Sequence, residues 1–146
     1  MAARAEVVLD PSEIAARLPG DALRVAGLHP AAGGTGDRVC SADMLLEALA
    51  ACAAVTLMAV ATSMGCPLTG GRVVAEGSWD ARGTLGVDKT APVGLQDIKM
   101  TFELEGALDE ATRQRLVQLT ERYCVILATL RQPPTVSVGI SLAAQG

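Results

Sequence analysis

The sequence predicts an α+β fold, and three observations support this prediction. Residues 41–64 contain nothing that breaks a helix and are apolar on nearly every side. Three later stretches, 72–80, 98–106 and 135–142, alternate between apolar and polar residues with a period of two, which is typical of antiparallel strands with one solvated face. Residues 109–122 have the pattern of an amphipathic helix. We therefore expect an antiparallel sheet packed on a long buried helix and a second helix.

The N-terminal third is predicted to hold short elements. Residues 5–9 and 22–28 are apolar enough for two short strands. The stretch "DPSEIAARL" at 10–18 predicts one or two helical turns, because a capping residue precedes a proline at the first helical position. The glycine-rich stretch "HPAAGGTGDR" at 29–38 is predicted to be a loop, and it lacks the lysine and hydroxyl residue that would complete a phosphate-binding loop.

The long helix has a clear start and a clear end. Ser41 can cap its N-terminus, and Gly65 and Pro67 follow where a helix C-terminus is expected. Because the helix is apolar nearly all round, we expect other elements to surround it. Its length would suit a membrane span. Its alanine-rich composition, Glu47 and the absence of aromatic or basic flanks favour a buried helix instead.

The alternating stretches and the amphipathic helix each assign one face to the core. The predicted inward residues are Val73, Ala75, Gly77 and Trp79 in the first stretch, Ile98, Met100, Phe102 and Leu104 in the second, and Val136, Val138, Ile140 and Leu142 in the third. The predicted core face of the helix comprises Leu108, Ala111, Leu116, Leu119 and Tyr123. Residues 81–97 predict either a mobile flap or a segment that a partner orders.

Composition narrows the class of protein. The 146 residues predict a single domain, 1–146, and half of them are apolar. The net charge is −4 and no run of Lys and Arg occurs, which argues against nucleic-acid binding. The N-terminus has no apolar segment typical of a secretory signal. We therefore expect a cytoplasmic protein that binds neither nucleic acid nor membrane.

The chain has four cysteines: Cys40, Cys52, Cys66 and Cys124. None forms a C-x-x-C pair and His29 is the only histidine, so we expect no metal site. A structural disulfide framework does not suit a reducing compartment. Cys66 follows the C-terminal end of the long helix, where partial negative charge disfavours a thiolate, so we interpret it as structural. Cys40 precedes the helix start and is a candidate reactive bystander.

Cys52 is the most informative of the four. The residues that share its helix face are small or aliphatic apart from one threonine: Ala48, Leu49, Val55, Thr56 and Ala59. Such neighbours desolvate a thiolate and raise the thiol pKa. These residues alone favour core filling over a nucleophile, unless the fold brings a cation to Cys52. The candidate cations are Arg4, Arg17, Arg24 and Arg38.

Several ordered motifs resemble the OsmC/Ohr family, the group of osmotically inducible and organic hydroperoxide resistance proteins. The stretch "SADMLLEALAACAAVTLMAVATSMGCPLTGGRVVAEGSWD" is similar to the family's signature helix and following strand. The stretch "VGLQDIKMTFELEGALDEATRQRLVQLTERYCVILATL" resembles the second half, which carries the second cysteine, and "PPTVSVGIS" resembles the closing strand. The resemblance covers a core of about residues 40–142 and leaves the N-terminal strands and loop, 1–39, without a clear match.

The resemblance implies a fold and an activity. The fold would be OsmC-like, with a curved antiparallel sheet on a central helix, in an intertwined homodimer. The activity would be that of a thiol peroxidase for organic hydroperoxides, with Cys52 peroxidatic and Cys124 resolving. No bound cofactor or metal is implied, and an external dithiol of the lipoyl type would reduce the resulting disulfide.

The chain also departs from the family pattern. Val125 and Ala42 stand where the pattern has proline, and Asp43 is shorter than the usual glutamate. The activating arginine cannot be placed by motif, and Arg17 and Arg24 are its candidates. The alternative interpretation is therefore an OsmC-like dimer that binds a small hydrophobic ligand with little or no peroxidase activity. A purely structural oligomer is a weaker third interpretation.

Overall fold

A computed structural model describes the backbone of residues 8–10 and 15–17 and the whole of residues 25–143. The fold is α+β, as predicted. In chain order the described elements are β1 (Val8–Asp10), β2 (Ala15–Arg17), β3 (Val25–Gly27), β4 (Val39–Cys40), α1 (Ser41–Met64), β5 (Leu68–Ser78), α2 (Ala81–Thr84), β6 (Gln96–Gly106), α3 (Glu110–Tyr123) and α4 (Val125–Arg131). A short 3₁₀ turn, Pro30–Ala32, precedes β4.

The described strands form two sheets. β1, β2 and β3 pair antiparallel in sequence order, and β4 joins β3 in parallel. β5 and β6 form a separate antiparallel pair. The prediction of helical turns over 10–18 was wrong for residues 15–17, which form β2. Pairing with a strand on each side supplies hydrogen-bond partners for the backbone of β2, and such tertiary pairing overrides a local helical signal.

Helix α1 has the predicted limits. Gly65 ends it in the left-handed conformation, with φ 64°, and its N–H donates to carbonyls of the last turn. Only a stripe spaced by four residues is buried: Leu49, Ala53, Leu57 and Ala61. On the opposite side Val55 and Met58 are 71% and 62% exposed. The helix has the length and composition of a membrane span, and within one chain the other elements cover one side of it.

The inner face of the β5–β6 pair packs on the buried stripe of α1. Two clusters result, one around Leu49 and Ala53 and one around Leu57 and Ala61. The predicted inward residues that join these clusters are Val73, Ala75, Met100, Phe102 and Leu104. Trp79 lies just beyond β5. The alternating pattern therefore identified most of the sheet's contribution to the core.

The buried line of α3 differs from the predicted face. Leu116, Thr120 and Cys124 are each 0% exposed, whereas Ala111 and Tyr123 are exposed. Thr120 is the polar residue of this line. Its buried hydroxyl is not left without a partner, because it donates to the Leu116 carbonyl at 2.8 Å. A hydroxyl satisfied in this way behaves as a small apolar side chain, which the apolar periodicity does not reveal.

The connection between β5 and β6 makes several contacts within itself. The Asp80 carboxylate caps α2 by accepting from the Arg82 N–H, and the Arg82 guanidinium returns to Asp80 at 2.7 Å. Gly83 lies so close to the Pro92 carbonyl that a Cβ there would come within 2.3 Å of its oxygen. The segment therefore folds back on itself.

The predicted strand at 135–142 is absent from the single chain. Residues 133–143 form no strand and no helix. The apolar residues of its alternating pattern are almost fully exposed, from 79% for Val136 to 95% for Ile140. The prediction fails because no strand of the described chain lies beside this segment to pair with it.

Candidate active site

Cys52 lies in the middle of α1, at the border of the buried stripe. Its neighbours Leu49 and Ala53 are fully buried, whereas Cys52 itself is half-buried. The side chain therefore has the apolar core on one side and access to solvent on the other. A thiol in this position can meet a small molecule from solvent with an apolar wall behind it.

Cys124 stands at a break between two helices. Its backbone is extended, with φ −71° and ψ 111°, so that it ends α3 and begins α4. Its N–H donates to the Thr120 carbonyl and its own carbonyl accepts from the Ala128 N–H, each at 2.9 Å. Its side chain is 0% exposed. The break therefore points a buried thiol towards α1.

The fold brings these two thiols together from separate elements. Cys124 belongs to the buried cluster with Leu49, Ala53 and Leu127, and Cys52 packs against that cluster. Both cysteines are free thiols, and the Cys124 thiol lies close enough to Cys52 to lower its pKa as a donor. A sulfenic acid formed on Cys52 would thus have Cys124 as an adjacent nucleophile, with which it could condense to a disulfide.

Burial raises the pKa of the Cys52 thiol, but hydrogen-bond donors outweigh that effect. The donors that face the Cys52 sulfur are, in order of effect, the Ile126 N–H, the Cys124 thiol, the Val125 N–H and the Thr56 hydroxyl. Donors to a thiolate stabilise its charged form. The pKa of Cys52 therefore lies below that of an ordinary cysteine, and more of it is nucleophilic thiolate at neutral pH.

The pKa of the Cys124 thiol shifts in the opposite direction. Burial raises the pKa of Cys124, and the nearby Cys52 raises it further as an acceptor and as a charge. The N–H groups of Leu127 and Ile126 oppose this rise only in part. The negative charge of the pair therefore resides on Cys52, which is also the thiol that solvent can reach.

The peptide donors come from the first turn of α4. The first N–H groups of a helix have no carbonyl partner inside it, and regular bonding in α4 starts with Ala128. Val125 and Ile126 thus have N–H groups to direct at the Cys52 sulfur. Proline has no N–H, so the departure from the family pattern at Val125 provides a donor that proline would lack.

Three of the four candidate arginines lie outside the residues whose side chains the structure describes. Arg4 and Arg24 lie outside the described residues, and only the backbone of Arg17, in β2, is described. Arg38 packs beside Gly27 in the loop before β4. The sequence favours a nucleophile at Cys52 only if the fold brings a cation to it. The described residues supply another means, because amide, thiol and hydroxyl donors lower the pKa of Cys52, and the roles of Arg17 and Arg24 stay predictions.

The remaining candidates lie apart from the thiol pair. Asp43 is exposed in the first turn of α1, where its charge suits the positive end of the helix. Cys40 is the N-cap of α1, and Cys66 packs on the cluster around Leu57. The His29 ring meets Trp79 edge-on at 5.3 Å. Among the residues that the structure describes, no three His, Cys, Asp or Glu side chains are arranged to hold a metal ion.

Sequence reasoning missed the hydrogen-bond donors that lower the pKa of Cys52. The amides of Val125 and Ile126 leave no signal in the sequence, because every residue except proline carries an N–H. Thr56 did leave a signal. Its position four residues after Cys52 places both on one helix face, yet its hydroxyl was counted only as a neighbour and not as a donor.

Comparisons with known proteins agree with this architecture. The family model described as OsmC-like protein matches residues 34–139. An OsmC-like protein from Mycoplasma pneumoniae has a similar structure, with a TM-score of 0.74 and 18% identity over 91% of this chain and 89% of its own. An organic hydroperoxide resistance protein from Elizabethkingia anophelis has a TM-score of 0.72 and 14% identity over 91% of each chain. No curated protein matches the sequence.

Proposed function

Because the chain belongs to the OsmC-like protein family, we propose that it is a thiol peroxidase for organic hydroperoxides, with Cys52 peroxidatic and Cys124 resolving. One observation supports this assignment above the others. The two thiols are in contact and their pKa values shift in opposite directions, with the half-buried one lowered. A thiolate that solvent can reach, next to a protonated buried thiol, is the arrangement that two-cysteine peroxidase chemistry requires.

The proposed cycle has three steps. The Cys52 thiolate attacks the distal oxygen of the hydroperoxide, the O–O bond breaks, and the alkoxide leaves as the alcohol after taking a proton. Cys124 then attacks the sulfur of the Cys52 sulfenic acid, an S–S bond forms, and water leaves. An external dithiol reduces the disulfide by two exchange steps and becomes a disulfide itself. Such a cycle needs a compartment that keeps thiols reduced, and we place it in the cytoplasm.

The surroundings of Cys52 favour an organic hydroperoxide over hydrogen peroxide. The cluster against which it packs is aliphatic, and two neighbours of the Cys52 sulfur keep apolar surface accessible, with Val125 67% exposed and Ile126 half-buried. Contact between such apolar surface and an alkyl chain removes both from water, which is favourable, whereas hydrogen peroxide has no alkyl chain to bury. The substrate class is therefore alkyl or lipid hydroperoxides.

We expect the reduced protein to lose two hydrogen atoms when about one equivalent of cumene hydroperoxide is added. Intact mass spectrometry measures the change, and peptide mapping should locate it to a Cys52–Cys124 disulfide. The reason is that the thiols already touch, so that condensation outruns further oxidation. An unchanged mass, or a disulfide that involves Cys40 or Cys66 instead, would contradict the proposal.

We further propose that the protein works as a homodimer. The exposed apolar side of α1 around Val55 and Met58 and the exposed alternating segment 133–143 are both surfaces that one chain leaves uncovered. A segment with apolar residues at every second position is suited to become a strand once another chain supplies its neighbour. A second copy that exchanges this segment would cover both surfaces.

The variant Val138→Lys should therefore weaken the dimer, because it places a charge on the apolar face of the segment. Size-exclusion chromatography with light scattering should give the mass of two chains for the wild type and a shift towards one chain for the variant. Ser137→Lys is the matched control, since the neighbouring residue points to the opposite face. A wild type with the mass of a single chain would refute the dimer.

One cavity is a candidate site for the alternative function, the binding of a small hydrophobic ligand. Beside the start of α1 lies a cavity of about 210 Å³, and apolar residues of the β5–β6 connection line it, among them Trp79, Val93 and Leu95. Its volume suits only a small ligand. If the protein binds such a ligand and is not a peroxidase, cumene hydroperoxide will leave its mass unchanged, and Trp79 fluorescence will respond to small apolar compounds.

A further inference from the structure

Thr56 lies one helical turn after Cys52, on the same face of α1. Its hydroxyl donates to the Cys52 carbonyl oxygen at 2.8 Å. The spacing of four residues also sets the two side chains next to each other on α1, and the Thr56 hydroxyl is among the donors that lower the pKa of the Cys52 thiol. A threonine hydroxyl has a single proton to donate, so it can serve one of these two acceptors at a time.

The carbonyl does not depend on this hydroxyl. In an α-helix the N–H of residue i donates to the carbonyl of residue i−4, so the Cys52 carbonyl is already paired with the Thr56 N–H inside α1. The hydroxyl adds a second bond to an acceptor that is already satisfied. Moving that proton to the sulfur therefore leaves no buried group without a partner.

Other threonines of the chain show what is special about Thr56. The hydroxyls of Thr62 and Thr129 donate to carbonyls four residues earlier, at Met58 and Val125, again at 2.8 Å. Threonine hydroxyls in helices commonly make this bond. Thr56 differs because the residue four positions earlier is a cysteine whose thiol is activated.

We propose that the Thr56 hydroxyl is a switching donor, which holds the Cys52 carbonyl while Cys52 is a thiol and turns to the Cys52 sulfur when the thiolate forms. The bond to sulfur is the stronger of the two in the charged state, because a charged acceptor binds a donor more tightly. Thr56 thereby becomes a further residue of the reactive site, and it acts on the reacting sulfur itself. This inference rests on the proposed role of Cys52 as nucleophile.

The test compares Thr56→Val with two controls. Valine has the shape of threonine without the hydroxyl, Thr56→Ser keeps the hydroxyl, and Thr62→Val removes the equivalent bond away from the thiols. The rate of Cys52 alkylation by iodoacetamide, followed by peptide mass mapping across pH, reports the thiolate population directly. Thr56→Val should slow this rate about three- to tenfold at neutral pH and move the profile to higher pH.

The controls separate the switch from a packing effect. Thr56→Ser should keep a rate close to wild type, and Thr62→Val should leave the profile unchanged. Equal alkylation profiles for Thr56→Val and wild type would overturn the inference, as would an equal loss in Thr56→Ser. Alkylation does not require peroxidase activity. A wild type that fails to consume cumene hydroperoxide therefore counts against the proposed function, while the alkylation series still judges Thr56.

Discussion

Replacing Cys52 with serine is expected to abolish consumption of organic hydroperoxide, lowering the rate by at least about 10³-fold. A serine hydroxyl stays protonated at neutral pH, so the donors around this position have no anion to stabilise. Because Cys52 is half-buried, its site should accommodate the smaller serine oxygen, and the variant should still fold. A coupled assay with cumene hydroperoxide and a dithiol reductant measures the rate, and thermal unfolding checks that the variant is folded.

The matched control uses another thiol of the same chain. Cys66 is also half-buried and lies just beyond the C-terminal end of α1, against the cluster around Leu57 and Ala61. Cys66→Ser should keep the wild-type rate, because that thiol does not touch the Cys52–Cys124 pair. Full peroxide consumption by Cys52→Ser would show that the nucleophile lies elsewhere.

Replacing Cys124 with serine is expected to leave the first step intact and block the second. The variant should consume about one equivalent of hydroperoxide and then stall, since the sulfenic acid on Cys52 has no neighbouring thiol. Intact mass should rise by one oxygen atom, and dimedone should trap that product. The wild type under the same conditions should instead lose two hydrogen atoms and give no dimedone adduct.

The Cys124→Ser variant needs a control for loss of stability. Cys124 is fully buried, and a hydroxyl buried without its own partner costs roughly 1–3 kcal/mol. Cys124→Ala avoids that cost and should show the same stalled product. An unchanged steady-state rate in both variants would contradict the resolving role.

The limits of α1 and the presence of the β5 and β6 strands could be predicted from the sequence because their signals are local, although β5 (Leu68–Ser78) begins and ends earlier than the predicted stretch 72–80. Gly65 and Pro67 mark a helix end, and a period of two marks a strand with one face on the core. The N-terminal strand β2 could not be predicted, since only its pairing with β1 and β3 stabilises an extended backbone there. The segment 133–143 shows the same limit, because its pattern implies a neighbouring strand that the described part of the chain does not supply.

The same distinction between local signals and tertiary contacts applies to the candidate site. Family motifs singled out Cys52 and Cys124 as candidates, and no spacing rule could place them in contact, because they lie on separate helices. The backbone at Cys124 is extended and directs the Val125 and Ile126 amides at Cys52. No glycine or proline stands next to Cys124 in the sequence to indicate this break. The buried line Leu116, Thr120 and Cys124 belongs to elements that pack against α1, and such tertiary packing leaves no local signal in the sequence.

The burial of Cys124 also bears on how an oxidised pair would be reopened. In thiol–disulfide exchange the incoming thiolate attacks one sulfur along the axis of the S–S bond, and the other sulfur departs. Cys124 is 0% exposed, and Cys52 has a solvent-facing side. A dithiol from outside would therefore form its mixed disulfide with Cys52, and Cys124 would be the leaving group. The helix break that hides one sulfur thus fixes the regiochemistry of reduction.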